Sequence, residues 1–397
     1  MQSFDAVVVG GGLAGKACAL ALVQQGMQVL LCGSHPAAPA PAQGWSQRVY
    51  AFNAASRRLL TQLQAWPQIP SQRIEPVARM RIAADGAALQ FSAWAQGVEA
   101  LAWIAESDAV ERALDLALQF ARGLQQTPER VEQAQRSAGR WQLQLGAGQV
   151  LESALLVGAD GRHSRVREWA GIGMHSKPYG QSGVVANFSC SGAHGGSAFQ
   201  SFTANGVLAL LPLPAWNGAD QVSLVWSAPE ALAAELVAAG PERLAERLQQ
   251  QLPALGAEQL GCLQPAGEVG SWPLLLARAD SLVGDGLALI GDAAHVLHPL
   301  AGHGLNLGLQ DVQALAAVLA TRSADPAADP RLLRRYARAR AEQVRALELA
   351  TDGLHRLYDP ALSWLGPLRG LGLALTDHLP PLKRRLAGYA SGLGVLA

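Results

Sequence analysis

Three histidines lie within one short stretch of the 397-residue chain, residues 287–311, LALIGDAAHVLHPLAGHGLNLGLQD. His295, His298 and His303 raise the question of metal ligation, since neutral imidazole is a common metal ligand. They fall on a predicted loop around a proline, without the i, i+4 helical pairing or the carboxylate and cysteine set of zinc sites. We therefore predict no metal site, and solvated or backbone-bonded histidines are the simpler interpretation.

Two aspartates follow predicted buried strands. Asp292 follows the apolar run 287–290, and Asp160-Gly161 follows a second apolar run within LLVGADGRHSRVREWAGI, residues 155–172. In open α/β sheets, ligands bind at the carboxyl ends of the strands. Both motifs therefore predict loops at one ligand-binding edge of a sheet.

The amino-terminal segment FDAVVVGGGLAGKACALALV supplies a third motif. Residues 4–9 form an apolar, partly β-branched run typical of a buried parallel strand, and a predicted helix and a second strand at 28–32 follow. Gly10 would permit a tight turn, Gly12 a close approach of a pyrophosphate, and Gly15 close packing of the helix on the strand. The spacing predicts dinucleotide binding; the alternative is an ordinary tight turn.

The second strand ends in Cys32-Gly33-Ser34, where dinucleotide-binding folds usually have an acidic residue that accepts hydrogen bonds from the adenosine ribose. Ser34 offers one neutral hydrogen bond, which is weaker than the charge-assisted bonds of a carboxylate. This departure leaves open the alternative that the protein is not an enzyme and serves as a scaffold in a biosynthetic assembly.

Composition limits the class of protein. The formal charge is zero, with 31 basic and 31 acidic residues, so no field would attract nucleic acid. Four scattered cysteines without C-x-x-C spacing predict reduced thiols and a cytoplasmic protein. No run reaches the ~20 apolar residues of a membrane span, so we expect any membrane contact to be peripheral.

Taken together, the motifs resemble those of the class A flavoprotein monooxygenases, specifically the branch that hydroxylates aromatic ubiquinone precursors. The resemblance covers nearly the whole chain. Its most specific part is HPLAGHGLNLGLQD at 298–311. The other matching stretches are QRVYAFNAAS at 47–56, RMRIAADGAALQFSA at 79–93, WIAESDAVERAL at 103–114 and PPLKRRLAGYASGL at 380–393.

The resemblance implies FAD as cofactor and assigns roles to particular residues. The motif of Gly10, Gly12 and Gly15 would bind the FAD pyrophosphate, and Ser34 would face the ribose. The element Asp160-Gly161 would serve both FAD and NAD(P)H. Asp292 would hold the ribitol, and Arg48 would contact the flavin.

The stretch that carries the three histidines would then face the flavin. Negative charge that develops near the flavin N1 is stabilised by the amides at a helix amino terminus. Gly302 and Gly304 lack side chains, so the amides near His303 could approach the ring, and Asn306 could add hydrogen bonds. Pro299 would shape the wall near the ring face where oxygen reacts.

The expected fold is α/β: a Rossmann-like FAD-binding domain, an inserted mainly antiparallel substrate domain with turns at 176–275, and C-terminal helices. We expect Phe199, Phe202, Leu210 and Trp226 to be core residues, with substrate lining as the alternative. The predicted domain ranges are 1–75, 100–175 and 276–330 for FAD, 76–99 and 176–275 for substrate, and 331–397 for the helical region.

The C-terminal region leaves two interpretations. The arginine-rich run RLLRRYARARAEQVRALELATDGLHRLY predicts a long helix with a solvated charged face. The tail after it alternates apolar clusters with basic residues. It would either pack on the body of the protein or rest on a membrane surface that holds a prenylated substrate.

The resemblance implies reduction of the flavin by NAD(P)H or another donor, addition of molecular oxygen at flavin C4a, and oxygen transfer to an aromatic, hydrophobic substrate. The flavin carries that chemistry, so no acid or base is nominated. Other quinone-biosynthesis proteins are candidate partners. The alternatives are a flavin-dependent reductase or oxidase, or the scaffold.

Overall fold

The computed structural model describes residues 2–41, 43–297, 303–322, 329–358 and 366–377, together with residues 379, 383 and 388. The strands are β1 (Gln2–Val9), β2 (Val29–Cys32), β3 (Val49–Phe52), β4 (Ile74–Val77), β5 (Arg79–Ala84), β6 (Ala87–Ser92), β7 (Ala102–Glu106), β8 (Leu124–Thr127), β9 (Val131–Ser137), β10 (Arg140–Leu145), β11 (Val150–Gly158), β12 (Met174–Cys190), β13 (Ser197–Thr203), β14 (Gly206–Trp216), β15 (Ala219–Pro229), β16 (Leu263–Pro265), β17 (Gly270–Ala279), β18 (Val283–Gly284), β19 (Leu287–Leu289) and β20 (His295–Val296). The helices are α1 (Leu13–Val23), α2 (Ala54–Gln62), α3 (Ala93–Gln96), α4 (Ser107–Gln119), α5 (Arg165–Trp169), α6 (Glu230–Leu255), α7 (His303–Leu319), α8 (Pro330–Leu357) and α9 (Gly366–Asp377).

The first sheet is parallel at its centre, in the order β19-β11-β1-β2-β8. β18 pairs antiparallel with β19, and the β9–β10 hairpin pairs with the first half of β11. Helices α1, α4 and α7 pack with Ala6 and Val8 on one face of β1. Phe4, Val7 and Val9 on the other face pack with residues of β9, β10 and α5, so β1 is apolar on both faces. The predicted α/β fold with a Rossmann-like sheet is confirmed.

Three strands of this sheet end side by side. Val9 of β1 is paired with Gly158 of β11, and Gly158 is paired with Leu289 of β19. The loops that follow these strands therefore begin at the same edge. The sequence predicts all three motifs at the carboxyl ends of strands, and the register of the parallel strands brings those ends together.

The second sheet is mainly antiparallel, in the order β20-β17-β12-β15-β14-β13-β5-β6, with β16 paired to β12. Helix α6 covers one face, where Phe199, Leu210 and Trp226 join its leucines in one core cluster. The ring of Phe202 stacks on Tyr358 with centroids 4.4 Å apart. All four side chains are core residues, as expected.

The hairpin predicted around Asp85-Gly86 joins β5 to β6. Asp85 and Gly86 have φ of +48° and +78°, the left-handed pair of a tight hairpin turn. β5 pairs in parallel with β13, so the β5–β6 hairpin belongs to the same sheet as the strands β12 to β17. The finer division into domains stays a prediction.

A third sheet, β3-β7-β4, was not predicted. Its strand β7 leads directly into α4, and β3 leads into α2 through Asn53. The side chain of Asn53 accepts a hydrogen bond from the Ser56 amide and so caps α2. This small sheet therefore sets the position of two helices.

The interpretation of the arginine-rich helix α8 as a solvated charged face is wrong at one position. Arg331, Arg334 and Arg338 are exposed, but Arg340 is only 1% exposed. Its guanidinium meets a buried carboxylate on α7, which compensates its charge. Among the described residues, no helix has the length and apolarity needed to cross a membrane.

Candidate functional site

In the glycine loop after β1, Gly10 and Gly15 are tightly surrounded by backbone, whereas Gly12 borders open space. Gly10 has φ +119°, and a Cβ there would lie 2.2 Å from the Ala159 oxygen. A Cβ on Gly15 would lie 1.8 Å from the Gly10 oxygen. A Cβ on Gly12 would meet no atom of the residues that the structure describes within 4 Å, and Gly12 is the N-cap of α1, which has no side-chain cap. The first amides of α1 therefore face space suited to an anion.

The loop after β11 contains a buried oxygen without a protein partner. Asp160 Oδ2 accepts a hydrogen bond from the Val166 amide at 3.2 Å, whereas Asp160 Oδ1 is buried with no hydrogen-bond partner among the described residues. Gly161 follows with φ +82°, and Ser164 caps α5 by accepting from the Arg167 amide. Because unsatisfied buried oxygens are uncommon, Oδ1 calls for a ligand or water donor.

A buried arginine joins this loop to the turn after β19. Arg167 Nη1 donates to the Ala293 oxygen at 3.0 Å, and Nη2 donates to the Arg162 oxygen at 3.0 Å. The two aspartate motifs are therefore held in a fixed relation.

Asp292 lies beside cationic groups. Its side chain is reached by solvent, yet the surrounding protein raises the pKa of its carboxyl through desolvation, against the opposing charges of His295, Arg48 and Arg162. Burial also raises the pKa of Tyr50, whose ring lies 5.4 Å from the Arg48 guanidinium carbon. The Arg48 charge therefore lies near enough to Asp292 to act on its pKa, although the two residues are distant in sequence.

The segment that carries Arg48 is fixed by a buried ion pair that the sequence did not reveal. Glu106 is fully buried; it accepts the Ser46 amide at 2.6 Å and lies 2.9 Å from Arg73 Nη1. The Ser107 amide donates to the Arg48 oxygen at 2.9 Å. Glu106 lies inside the quoted stretch at 103–114, but no local pattern distinguishes a buried glutamate from a solvated one.

At the amino terminus of α7, a Cβ on Gly304 would meet no atom of the described part of the chain within 4 Å. Asn306 is buried; it accepts the Asn53 amide at 3.0 Å and donates to the Ala51 oxygen at 2.7 Å. Its side chain therefore ties α7 to the β3–α2 junction. His298, Pro299 and Gly302 lie outside the described residues.

Asp311, for which the sequence predicted no role, binds the backbone of the Gly291–Asp292 turn. Its Oδ2 accepts a hydrogen bond from the Gly291 amide at 2.9 Å and lies 2.8 Å from His295 Nε2. Its Oδ1 lies 2.6 Å from Arg340 Nε. Burial alone would raise the pKa of this carboxyl, but His295, Arg340 and the Gly291 amide together lower it.

Ser34 lies against the neighbouring strand β8. Its hydroxyl donates to Gln126 Oε1 at 3.3 Å, which leaves the serine oxygen able to accept. The segment after it is held by buried Lys16, which lies 2.6 Å from Asp115 Oδ1 and 3.2 Å from the His35 oxygen. The position of the missing carboxylate is thus occupied by a neutral hydroxyl and amide pair.

These residues fit a dinucleotide. The space at Gly12, the uncapped amides of α1 and the free Oδ1 of Asp160 lie on neighbouring strand ends of the parallel sheet. Ligands bind at this edge in doubly wound folds.

Comparison with known proteins agrees with this geometry. Residues 3–351 match the family described as FAD binding domain. The chain is 34% identical over 400 residues to 3-demethoxyubiquinol 3-hydroxylase of Escherichia coli K12, covering 99% of each chain. It is 32% identical over 393 residues to ubiquinone hydroxylase UbiL of Rhodospirillum rubrum, covering 98% of this chain and 89% of that protein. The chain belongs to the class A flavoprotein monooxygenases.

The fold of this monooxygenase is also found in a solved structure, p-nitrophenol 4-monooxygenase PnpA of Pseudomonas putida. The two share a TM-score of 0.75 and 18% identity, and the alignment covers 100% of each chain. The protein is an FAD-dependent enzyme, and the flavin, when bound, is the group that reacts with molecular oxygen.

Proposed function

We propose that this monooxygenase hydroxylates the aromatic ring of a polyprenylated ubiquinone precursor, with molecular oxygen and with NAD(P)H as electron donor. The observation that carries the proposal is the meeting of the glycine loop, the Asp160 loop and the Asp292 turn at one edge of the sheet. The names of the two ubiquinone hydroxylases that align with nearly the whole chain support the substrate class.

Each site residue has a proposed part. The α1 amides, with Gly10, Gly12 and Gly15 around them, bind the pyrophosphate, and Ser34 accepts from the ribose. Asp160 and Gly161 bind the dinucleotide next to β11. Asp292 holds the ribitol, and Arg48, Pro299, Gly302, Gly304 and Asn306 shape the flavin end.

The test begins with the visible spectrum and an FAD titration. The purified protein should bind one flavin per chain, which would show that FAD binding does not require a carboxylate after β2. The flavoprotein is then supplied with NADPH or NADH, a short-chain prenylated phenol and ¹⁸O₂, and the product is examined by mass spectrometry. One ¹⁸O atom is expected in a new hydroxyl group on the aromatic ring. Flavin oxidation that releases only hydrogen peroxide would contradict the proposal.

We also propose that the protein contacts a lipid surface through the exposed leucines of its C-terminal region. Leu371, Leu375 and Leu379 are 57%, 54% and 50% exposed. The first two lie one turn apart on α9, an arrangement that suits interfacial binding. Helix α9 packs on the β5–β6 hairpin, and Trp94 of α3, which directly follows β6, is 91% exposed.

Sedimentation with vesicles of phosphatidylglycerol and phosphatidylethanolamine tests this contact. The double variant Leu371→Asp/Leu375→Asp should stay in the supernatant while the parent protein sediments. Phe120→Asp is the matched control, because Phe120 is 79% exposed on a different element. If the parent does not sediment, the lipid proposal is wrong.

A further inference from the structure

The turn that carries Asp292 is shaped by a buried charge that does not face the ligand edge. Asp311 has no solvent exposure; its Oδ2 faces the turn and His295, and its Oδ1 faces α8. Oδ2 accepts the Gly291 amide, and Oδ1 contacts Arg340 Nε. A charge-assisted hydrogen bond to a backbone amide fixes that peptide more strongly than a neutral one.

Helix α8 completes this arrangement. Arg340 Nη2 donates to the Leu307 oxygen at 3.2 Å, so one guanidinium holds both the Asp311 carboxylate and the backbone of α7. One turn earlier, the fully buried Tyr336 donates its hydroxyl to the Leu289 oxygen at 2.8 Å. The end of β19 and the turn after it are therefore both attached to a helix outside the predicted FAD range.

The backbone allows little movement at this point. Gly291 has φ +58°, and a Cβ on Gly308 of α7 would lie 3.2 Å from the Gly291 Cα. A Cβ on Gly291 would lie 3.4 Å from Ala14 in the first turn of α1. The turn, α7 and the start of α1 thus touch, so a shift of α7 would move the turn.

We propose that Arg340 and Asp311 are positioning residues for FAD: the buried pair sets the Gly291–Asp292 peptide so that the Asp292 carboxylate points at the cofactor. The inference rests on the proposed contact between Asp292 and FAD. The unusual burial of an arginine from an otherwise exposed charged run is then explained by cofactor binding.

The experiment measures the FAD dissociation constant of the apoprotein by flavin fluorescence in a double-mutant cycle. Arg340→Met should weaken FAD binding about tenfold, the loss expected when one charge-assisted hydrogen bond is misplaced. Asp292→Ala removes the side chain through which the pair acts. In that background Arg340→Met should change the constant less than about twofold, because coupled residues are not additive.

Two controls separate positioning from general stability. Arg136 Nη2 bonds Asp285 Oδ1 at 2.9 Å just before β19, at the end of that strand away from the site. Arg136→Met should lower the free energy of unfolding without changing FAD affinity. Arg340→Lys keeps the charge but loses the planar guanidinium, so its FAD dissociation constant should lie between those of the parent and Arg340→Met. It also serves as the test variant if the methionine variant does not fold.

The same tenfold loss in both backgrounds would overturn the inference, as would an unchanged constant in Arg340→Met. Failure of the proposed hydroxylation would leave the result intact, because flavin binding is measured without substrate or donor.

Discussion

At Gly12 and Gly15 a Cβ would meet opposite surroundings. Gly12→Val places its side chain in open space, so the free energy of unfolding should change by less than about 1 kcal/mol. The same side chain blocks the approach to the α1 amides, and FAD affinity should fall at least about a hundredfold.

Gly15→Ala should show the reverse order of effects. Its Cβ would overlap the Gly10 oxygen at 1.8 Å, so the fold should lose about 3 kcal/mol in urea unfolding. If Gly12→Val copurifies with full flavin, the open space does not bind the pyrophosphate.

Asp292 should trade stability for binding. Its raised pKa means that the ionised carboxylate costs the folded apoprotein free energy above the folded pKa, and this cost disappears below about pH 4, the ordinary value for Asp. Asp292→Asn should therefore make the apoprotein more stable at pH 7 while weakening FAD binding about tenfold. The gain should shrink as the pH falls towards 4; equal stability of the two apoproteins at pH 7 would contradict this.

The site residues that the sequence predicted are those whose role is visible from their neighbours along the chain. Gly10, Asp160 and Asp292 each follow an apolar strand, and that pattern is visible along the chain. Asp311 and Arg340 are recognisable only by their burial against each other, which depends on how α7 and α8 pack. An isolated reading of an arginine-rich helix predicts a solvated face, which is correct for most of its arginines and wrong for this one.

At the scale of elements, the segment before β3 depends on β7 and α4. The pair Arg73–Glu106 lies where β7 passes into α4, and the Arg73 guanidinium also lies 4.6 Å from the Trp45 ring centroid. This contact holds the segment 44–48 against the small third sheet. Neither β4 nor β7 is predictable as part of that sheet, since they pair across long stretches of sequence.

Glu106→Gln should destabilise the protein by about 3 kcal/mol, because it leaves the largely buried Arg73 without a countercharge. Glu99→Gln is the control: its pair with Arg57 is exposed, 69% at the glutamate, and should be worth under about 1 kcal/mol. Urea unfolding of the two variants measures the difference. Equal losses would mean that the Arg73 pair is no stronger than an ordinary surface pair.

At the scale of the whole molecule, FAD should stabilise the protein as one unit. The proposed site takes loops from β1, β11 and β19, and β20 continues from the third loop into the second sheet by pairing with β17. FAD at one hundred times its dissociation constant should raise the free energy of unfolding by about 2.7 kcal/mol. Calorimetry should show a single shifted transition; two transitions, of which only one moves, would mean that the sheets unfold independently.

The placement of β19 beside β11 has a consequence for biosynthesis. Leu156 pairs with Leu287, so the parallel sheet stays open along β11 until residues far along the chain have left the ribosome. The glycine loop can form early, because chains fold from their amino terminus during synthesis. The turn at Asp292 gains its buried support only when Arg340 has emerged. A nascent chain that stalls before α8 should therefore expose an unpaired apolar strand edge to chaperones and capture FAD poorly.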